Sequence, residues 1–374
     1  QLYHYSNIFL ICQQLFSKKS KKFFQGFGAC PGLRRNIHEN SQIKQRRSLL
    51  RDYHTGGMGK MNCYEPEGRK IADTANQRYC GSLEGLREAM AEGVILEGWG
   101  ARISGARPDL LVDLGGIQGV IPHDEGALGM EDGSTRDIAL LTRVGKPVCF
   151  VVTGFEELAD GTLRPVLSRR QAQQRCKEEY LDTLVPGDII SARVTHLEPF
   201  GCFVDIGCGI ASLLPIDAIS VSRIAHPSDR FRVGEEIRVV VRSRDEKNRI
   251  TLTHRELLGT WEENAAAFCA GDTVPGIVRS VEDYGIFIEL TPNLAGLAEP
   301  RPGVYPGQRA TVTIKSLNPA RMKVKLILID SFDQPGAPRE MSYFVQGDHI
   351  DRWEYSPAAC ARKIVTDFSA VRAQ

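Results

Sequence analysis

The sequence lacks the features of several large classes of protein. No apolar run is long enough to span a bilayer, so we expect no membrane segment. The ten cysteines include no CxxC pair and follow no regular spacing. This favours reduced thiols in a cytoplasmic protein over disulfides or a zinc site. Net charge is almost absent as well, at +1 for the whole chain.

The small net charge hides two parts of opposite sign. Residues 1–60 contain 11 Lys and Arg but 2 Asp and Glu, which leaves 36 of the 47 basic and 44 of the 46 acidic side chains for the remainder. The first part has no steady periodicity, and its positive charge follows its apolar stretch, the reverse of a secretory signal. We interpret residues 1–60 as disordered or as an upstream extension, with Met58 or Met61 as the native start. A basic RNA-binding arm is the alternative.

Three segments superpose on one another, at 100–122, 191–215 and 275–299. In each, an acidic residue stands between two aliphatic ones, and these residues are Asp113, Asp205 and Glu289. Each segment continues through a glycine turn into further short apolar strands. About five strands in roughly 60–80 residues predict a small closed barrel of the OB type. We therefore expect three barrels in tandem, each with its own core.

The predicted fold is mainly β: three tandem five-stranded OB-fold barrels joined by short helices, a disordered N-terminal segment and a small C-terminal α/β tail. The boundaries are a helical lead-in at 61–91, barrels at 92–170, 185–256 and 271–329, helical linkers at 171–184 and 257–270, and a tail at 330–374. Helix signals in the two linkers are the candidate N-cap Ser168 and the helical spacing of Leu257, Trp261, Ala265 and Phe268.

Phe200 and Phe203 stand three apart around Gly201, in a segment that otherwise alternates like a strand. Because side chains of a strand alternate between its two faces, a bend or bulge at Gly201 is needed to turn both rings outward. Two exposed rings form a platform on which nucleobases stack. The alternative is that Phe203 is buried in the barrel and Phe200 is a lone surface aromatic.

The strand at 235–249 favours the nucleic-acid interpretation. Its apolar residues alternate with basic ones, so one face is predicted to be apolar and the other to carry positive charge. A groove that follows phosphates requires such a face. The basic side chains of this face and of the turn after it are Arg238, Arg242, Arg244, Lys247 and Arg249.

The pattern FGxFV, then VG, then an Asp four residues before an Arg ahead of an LT strand resembles the S1 RNA-binding motif. All three repeats, at about 92–329, are similar to it. The resemblance implies an OB barrel that binds single-stranded RNA through two aromatics, a histidine, an aspartate and an arginine. In the second barrel these positions are held by Phe200, Phe203, Pro215, Asp245 and Arg249, so the histidine is missing.

The other two barrels depart further from the motif. The third is expected to bind RNA more weakly or differently, through Tyr284 and Phe287 at the aromatic positions, Glu299 at the histidine, Asn318 at the aspartate, Lys323 at the arginine, and Lys315 nearby. The first has Pro108 and Leu111 instead of rings, although Asp160 and Arg164 keep the four-residue spacing. It should stack no base. In the family, leading repeats tend to attach to the ribosome, which suggests that role here.

No motif predicts catalysis. GGMGK (56–60) lacks the flanking residues of a phosphate loop, and His123 with Asp124 and Glu125 lies in a turn. We therefore expect no enzyme and no cofactor. A metal site in the tail from His349, Asp351 and Cys360 is disfavoured because the set lacks a second Cys or His. A small docking element for a partner is the preferred interpretation of the tail.

The sequence therefore predicts a cytoplasmic protein that binds single-stranded mRNA and assists translation at the small ribosomal subunit, attached there through its first barrel. Two alternatives remain. One is an RNA-binding regulator that never joins the ribosome. The other is a protein-interaction scaffold whose barrels have lost RNA.

Overall fold

The computed structural model describes residues 64–105, 107–333 and 341–369, and these residues form three closed five-stranded barrels. The interpretations of residues 1–60 lie outside the described residues. The strands of the first barrel are β1 Leu96–Ser104, β2 Asp109–Asp113, β3 Gln118–Ile121, β4 Pro147–Glu157 and β5 Leu163–Ser168. Those of the second are β6 Ile189–Glu198, β7 Gly201–Asp205, β8 Ala211–Pro215, β9 Glu236–Arg244 and β10 Ile250–Thr253. Those of the third are β11 Thr273–Glu282, β12 Gly285–Thr291, β13 Leu294–Ala298, β14 Arg309–Asn318 and β15 Lys323–Phe332.

The three barrels share one connectivity. In each, the first strand pairs with the second and the fourth, and the third pairs with the fifth. The third and fifth strands run parallel, as in Val120↔Val166 of the first barrel and Leu297↔Lys325 of the third. The other strand pairs are antiparallel. Alternate residues point inward, for example Cys202 and Val204 of β7, which are fully buried. The predicted OB-type fold is confirmed.

Five α-helices lie in the described part of the chain: α1 Thr74–Cys80, α2 Leu83–Glu92, α3 Ile138–Leu141, α4 Arg169–Glu179 and α5 Trp261–Ala265. Ser168 caps α4, as predicted, by accepting a hydrogen bond from the Gln171 backbone N–H at 2.9 Å. None of the helices in the described ranges is long and apolar enough to cross a membrane.

The second linker is less helical than its spacing predicted. Leu257 lies in a 3-10 turn, Arg255–Leu258, and the chain then passes through Gly259 at φ 81° before α5 begins. Thr260 and Glu263 form a capping box that starts a new helix, and α5 ends at Ala265. The continuous helix expected at 257–270 is therefore wrong, because Gly259 adopts a non-helical conformation with φ 81° and ψ 170°.

The first two barrels do not have separate cores, contrary to the prediction. One apolar cluster contains Ile95 and Cys149 of the first barrel, Ala172 and Cys176 of α4, and the interior of the second barrel. A buried ion pair lies beside it, with Arg169 Nε 2.7 Å from Glu67 Oε1. The linker helix thus acts as shared core rather than as a spacer.

The tail packs back onto the barrels, and its role as a docking element for a partner stays a prediction. It forms a two-stranded sheet, β16 Arg352–Glu354 with β17 Val365–Asp367. The helix expected beside this hairpin does not form within residues 341–369, since Pro357 opens a turn closed by the Cys360 N–H. Trp353 and Tyr355 are buried in the apolar cluster of the third barrel.

His254 joins the second barrel to the tail and is fully buried. Its Nδ1 donates to the Ile219 carbonyl at 2.9 Å, so its Nε2 is left to accept from the Tyr343 hydroxyl at 3.3 Å. Burial lowers the pKa of His254 to about 4. The contact therefore requires the neutral ring.

We expect His254 to make the protein less stable in acid. The unfolded chain accepts a proton near pH 6.5 and the folded chain only near pH 4, so the free energy of unfolding should fall as the pH drops through this window. The contribution is about 3 kcal/mol. Urea unfolding of wild type and His254→Gln at pH 7 and pH 4.5 measures it. The comparison removes the opposite effect of Asp205, whose pKa burial raises to about 7. Equal losses in both proteins would show that His254 does not carry the effect.

Candidate nucleic-acid interface

Two matching pairs of aromatic rings lie at hairpin turns of the second and third barrels. Glu198 pairs with Gly201, and Glu282 pairs with Gly285, so each hairpin has a two-residue turn. Phe200 and Tyr284 are the second residues of these turns and are not strand residues. The bend or bulge expected at Gly201 is therefore wrong: strand alternation does not apply to Phe200, because the chain reverses there.

The rings of each pair meet edge to face. The centroids of Phe200 and Phe203 lie 6.1 Å apart with an interplanar angle of 85°. Those of Tyr284 and Phe287 lie 6.1 Å apart at 86°. Phe200 is 38% exposed and Tyr284 is 69% exposed, while Phe203 and Phe287 are half-buried on the outer faces of their barrels. The alternative that buries Phe203 in the interior is excluded.

Glycine is required between the two rings because the neighbouring strand lies close. A Cβ on Gly201 would lie 2.5 Å from the Leu214 carbonyl oxygen, and one on Gly285 would lie 2.8 Å from that of Ala298. Both residues have a φ near 157°. The absence of a side chain lets the third strand close against the turn, which holds the first ring beside the second.

Strand register places further side chains around the inner ring of each pair. On the second barrel a row runs through His196, Phe203, Leu213, Thr251 and Ser243. On the third barrel the equivalent row is Ser280, Phe287, Leu297, Lys325 and Ser316. We call these rows, together with Phe200 or Tyr284, the second-barrel face and the third-barrel face.

Asp245 and Arg249 meet, as their spacing suggested. Asp245 Oδ1 accepts from the backbone N–H groups of Lys247 and Arg249, each at 2.9 Å, and Oδ2 accepts from Arg249 Nε at 2.7 Å. The backbone and side-chain hydrogen bonds from Arg249 lower the pKa of this carboxyl. Asp245 therefore orders the turn, while Arg249 stays exposed two residues before Thr251, on the side of the second-barrel face.

The third barrel repeats this turn with neutral chemistry. Asn318 accepts from the Arg321 backbone N–H at 3.1 Å, which replaces part of the role of Asp245. Lys323 pairs in register with Asn318 and is exposed. Glu299 is exposed directly after β13.

The continuous arginine face predicted for β9 is wrong at two positions. Arg238 donates to the carbonyls of Val345 and Gly347, each at 2.6 Å, because the tail covers this part of the strand. Arg244 donates to the Leu184 carbonyl at 2.9 Å and holds the first linker. The arginines were identified by alternation, which indicates a face but not what covers it.

Arg242 and Lys315 remain exposed, for a shared reason. Each is an extra residue in a β-bulge of the fourth strand, so it has no partner on the fifth strand. A bulge turns one side chain away from the ladder. The corresponding bulged residue of the first barrel is Thr153, which carries no charge.

The first barrel offers no comparable face. Leu111 and Val120, which correspond to Phe203 and Leu213, are 2% and 5% exposed. Arg164 pairs with Glu156 at 2.6 Å instead of with Asp160. His123, considered above in a catalytic trio, lies between Asp124 and Asp137.

Sequence reasoning missed two polar members of these faces. His196 pairs in register with Phe203 and has a half-exposed side chain, so an imidazole lies beside the inner ring although the motif's histidine position holds Pro215. Lys325 lies beside Leu297 on the third barrel. The alternation of Lys323, Val324, Lys325 and Leu326 could have identified Lys325. His196 could be found only from the register of β6 against β7.

The sequence of this chain is similar to a known family model and to known proteins. The family model described as the S1 RNA-binding domain matches residues 184–255. The small ribosomal subunit protein bS1 homolog of Bacillus subtilis (strain 168) is 30% identical over 248 residues, 62% of this chain and 62% of that protein. The bS1 protein of Leuconostoc lactis is 28% identical over 242 residues, 60% of this chain and 54% of that protein.

The match spans a little over half of the length of these two relatives. Among solved structures, a multidomain protein with nucleic acid binding domains from Streptococcus pneumoniae TIGR4 is 18% identical. The likeness covers 64% of this chain and 75% of that chain, with a TM-score of 0.22.

Gly201→Ala should disrupt the second-barrel face by forcing the turn away from β8. The added Cβ meets a backbone carbonyl that cannot move alone, so we expect the free energy of unfolding to fall by about 1–3 kcal/mol. Gly154→Ala is the matched control, because an added Cβ there has no atom within 4 Å. Chemical denaturation measures both. A Gly201 variant as stable as its control would refute the close-approach argument.

Proposed function

We propose that the protein binds single-stranded RNA through the second- and third-barrel faces, because the second barrel matches the model of the S1 RNA-binding domain and the chain is similar to bS1 ribosomal proteins. The observation that carries this proposal is the repeated ring pair. Two barrels place an edge-to-face pair at the same hairpin turn with the same 6.1 Å separation. Each pair is open to solvent on one side.

The chemistry of the faces fits unpaired bases. An exposed ring stacks on any base, and each stack is worth roughly 1–3 kcal/mol. Bases in a duplex do not offer their faces, so this recognition selects single strands. Arg249 and Arg242 then serve phosphates on the second barrel, and Lys323, Lys325 and Lys315 serve them on the third. The function is binding and not catalysis.

The second-barrel face is the principal site. It combines two phenylalanines with the exposed His196 and with Arg249, which Asp245 holds in place. The third-barrel face keeps its rings but has Glu299 at the histidine position and Asn318 in place of the aspartate, so its contacts with RNA differ. Arg238 and Arg244 support the fold around the site and do not contact RNA.

The relatives are named as small ribosomal subunit proteins, which supports association with that subunit. A role in mRNA binding and translation in the cytoplasm is part of the same proposal. We assign the contact with the subunit to the first barrel, because it has no ring pair with which to bind RNA. Co-sedimentation with small-subunit fractions tests this step. Absence from those fractions, with RNA binding intact, would favour a regulator that works away from the ribosome.

Replacing Phe200 and Phe203 with alanine should weaken binding to polyuridine. Loss of two stacks predicts a decrease of about 2–6 kcal/mol in binding free energy. Fluorescence anisotropy with a labelled oligomer measures the change. Phe332→Ala is the matched control, since Phe332 is 40% exposed at the far end of β15. Equal affinity of the double variant and wild type would favour a protein-interaction scaffold.

Lys325→Gln should reduce the salt dependence of binding. A lysine that neutralises one phosphate of a single strand contributes about 0.7 to the slope of log K against log salt. Titrations at several salt concentrations measure that slope. Lys146→Gln, at an exposed lysine of the first barrel, should leave it unchanged. An unaltered slope for Lys325→Gln would remove this lysine from the interface.

A further inference from the structure

Asn293 joins three separate parts of the chain. It lies in the turn between β12 and β13 and is 1% exposed. Its Oδ1 accepts from the Val221 N–H of the second barrel at 2.9 Å. Its Nδ2 donates to the carbonyls of Arg255 and Gly259 in the linker, at 2.9 and 3.0 Å. Its backbone oxygen accepts from the Tyr355 hydroxyl of the tail.

A buried charge cluster crosses the same boundary. Arg230 of the second barrel contacts Glu289 of the third, with Nη2 2.6 Å from Oε2. Arg279 Nε lies 2.7 Å from the same oxygen, and its Nη1 lies 3.1 Å from Asp229. Separating the barrels would leave Glu289 with one arginine instead of two and would expose Arg230. Breaking a buried pair in this way is costly.

Residues 341–350 of the tail contact the second barrel. The Tyr343 hydroxyl contacts His254 and accepts from the Arg238 N–H at 3.2 Å. The Ile189 N–H donates to the Asp348 carbonyl, and the Ile350 N–H donates to the Gly187 carbonyl, both at 2.8 Å. This stretch therefore pairs with the beginning of β6 much as an added strand would.

The next residues of the tail hold the third barrel. Trp353 and Tyr355 are 6% and 4% exposed and share an apolar cluster with Trp261, Val278 and Ile288. The Trp261 N–H donates to the Tyr355 carbonyl at 3.0 Å. The tail thus bridges the two barrels, with each half buried against a different one.

Polar contacts alone do not make this boundary favourable. Three of the four buried side-chain atoms without a partner among the described residues lie here: Ser222 Oγ, Arg230 Nε and Trp353 Nε1. A buried polar atom without a partner costs free energy. The apolar burial contributed by the tail must therefore supply much of the stability of the boundary.

We propose that the second- and third-barrel faces form one bipartite site for a single RNA strand, and that the tail is the staple that fixes their relative orientation. This rests on the proposed function. A fixed orientation converts binding at the second face into an intramolecular step with a high effective concentration, provided that the RNA is long enough to reach both. The tail acts on affinity without touching RNA and is a positioning element.

The test compares a short and a long oligouridine. An OB barrel covers about 4–16 nucleotides, so an oligomer of about 6 occupies one face and one of about 30 can reach both. The variants are Asn293→Ala and the tail double variant Tyr343→Ala/Val345→Ala. Ser342→Ala, at an exposed neighbouring tail residue, is the matched control.

We expect both variants to bind the short oligomer as wild type does and the long one about 10- to 100-fold more weakly, as part of the 10²–10⁴ that avidity can supply. The control should change neither. If the folded variants keep the wild-type ratio of affinity for the long oligomer to affinity for the short one, the proposal that the tail fixes the orientation of the two faces is refuted. If wild type itself fails to bind the short oligomer, the proposed function fails instead.

A milder variant protects the test against misfolding. Tyr343→Phe removes only the hydroxyl that contacts Arg238 and His254. Small-angle scattering of this variant without RNA should show a broader distribution of distances between the barrels than wild type. An unchanged distribution together with an unchanged affinity ratio would also overturn the proposal.

Discussion

The close approach of a third strand to a two-residue hairpin turn is the constraint on which the rest of the interface depends. At Gly201 and Gly285 a Cβ would lie 2.5 and 2.8 Å from a carbonyl oxygen of the third strand, so a residue with a side chain does not fit there while the strands stay paired. The residue before each glycine is then held over the outer face, beside the ring two positions after the glycine. This explains why two barrels with different residues, Phe200 and Tyr284, reach the same ring separation. The backbone of the hairpin therefore sets the positions of the two rings, whichever aromatic side chains occupy them.

The features that could be predicted from the sequence are those that local periodicity determines. The strand pattern within each repeat and the Ser168 cap depend on residues close together in the chain, and both occur in the structure. The fate of Arg238 depends on Val345 and Gly347, more than 100 positions away, and alternation carries no information about such a cover. The shared core of the first two barrels is invisible for the same reason: α4 has a helical pattern whether it faces solvent or two barrels. The register that places His196 beside Phe203 likewise depends on a bulge in β6.

One position that recurs in all three repeats contributes to the contacts between neighbouring parts of the chain. The acidic residue that stands between two aliphatic ones in each repeat is exposed in the first barrel as Asp113, where it accepts hydrogen bonds from the backbone N–H groups of Gly115 and Gly116. In the second barrel it is Asp205, buried, and accepts from the Glu67 N–H at 2.7 Å beside the Arg169 pair. In the third it is Glu289, buried between Arg230 and Arg279. In the first barrel this position caps the turn that follows its strand, whereas in the other two it contacts a segment that precedes its own barrel, Glu67 of the lead-in for Asp205 and Arg230 of the second barrel for Glu289.

The charge balance bears on how the proposed bipartite site would bind RNA. Outside the first 60 residues, 44 acidic side chains exceed 36 basic ones, so binding cannot come from neutralising many phosphates at once. Each face instead offers two rings and a few cations, and association costs consume much of what one face gains. A body that is acidic overall repels paired and unpaired RNA alike, so stacking of unpaired bases on the rings is the term that favours single strands over duplexes. In the proposed bipartite site, a fixed geometry between the two faces raises affinity without adding charge. Additional lysines would strengthen binding to every polyanion. The alignment of two ring pairs strengthens binding only to a strand that reaches both.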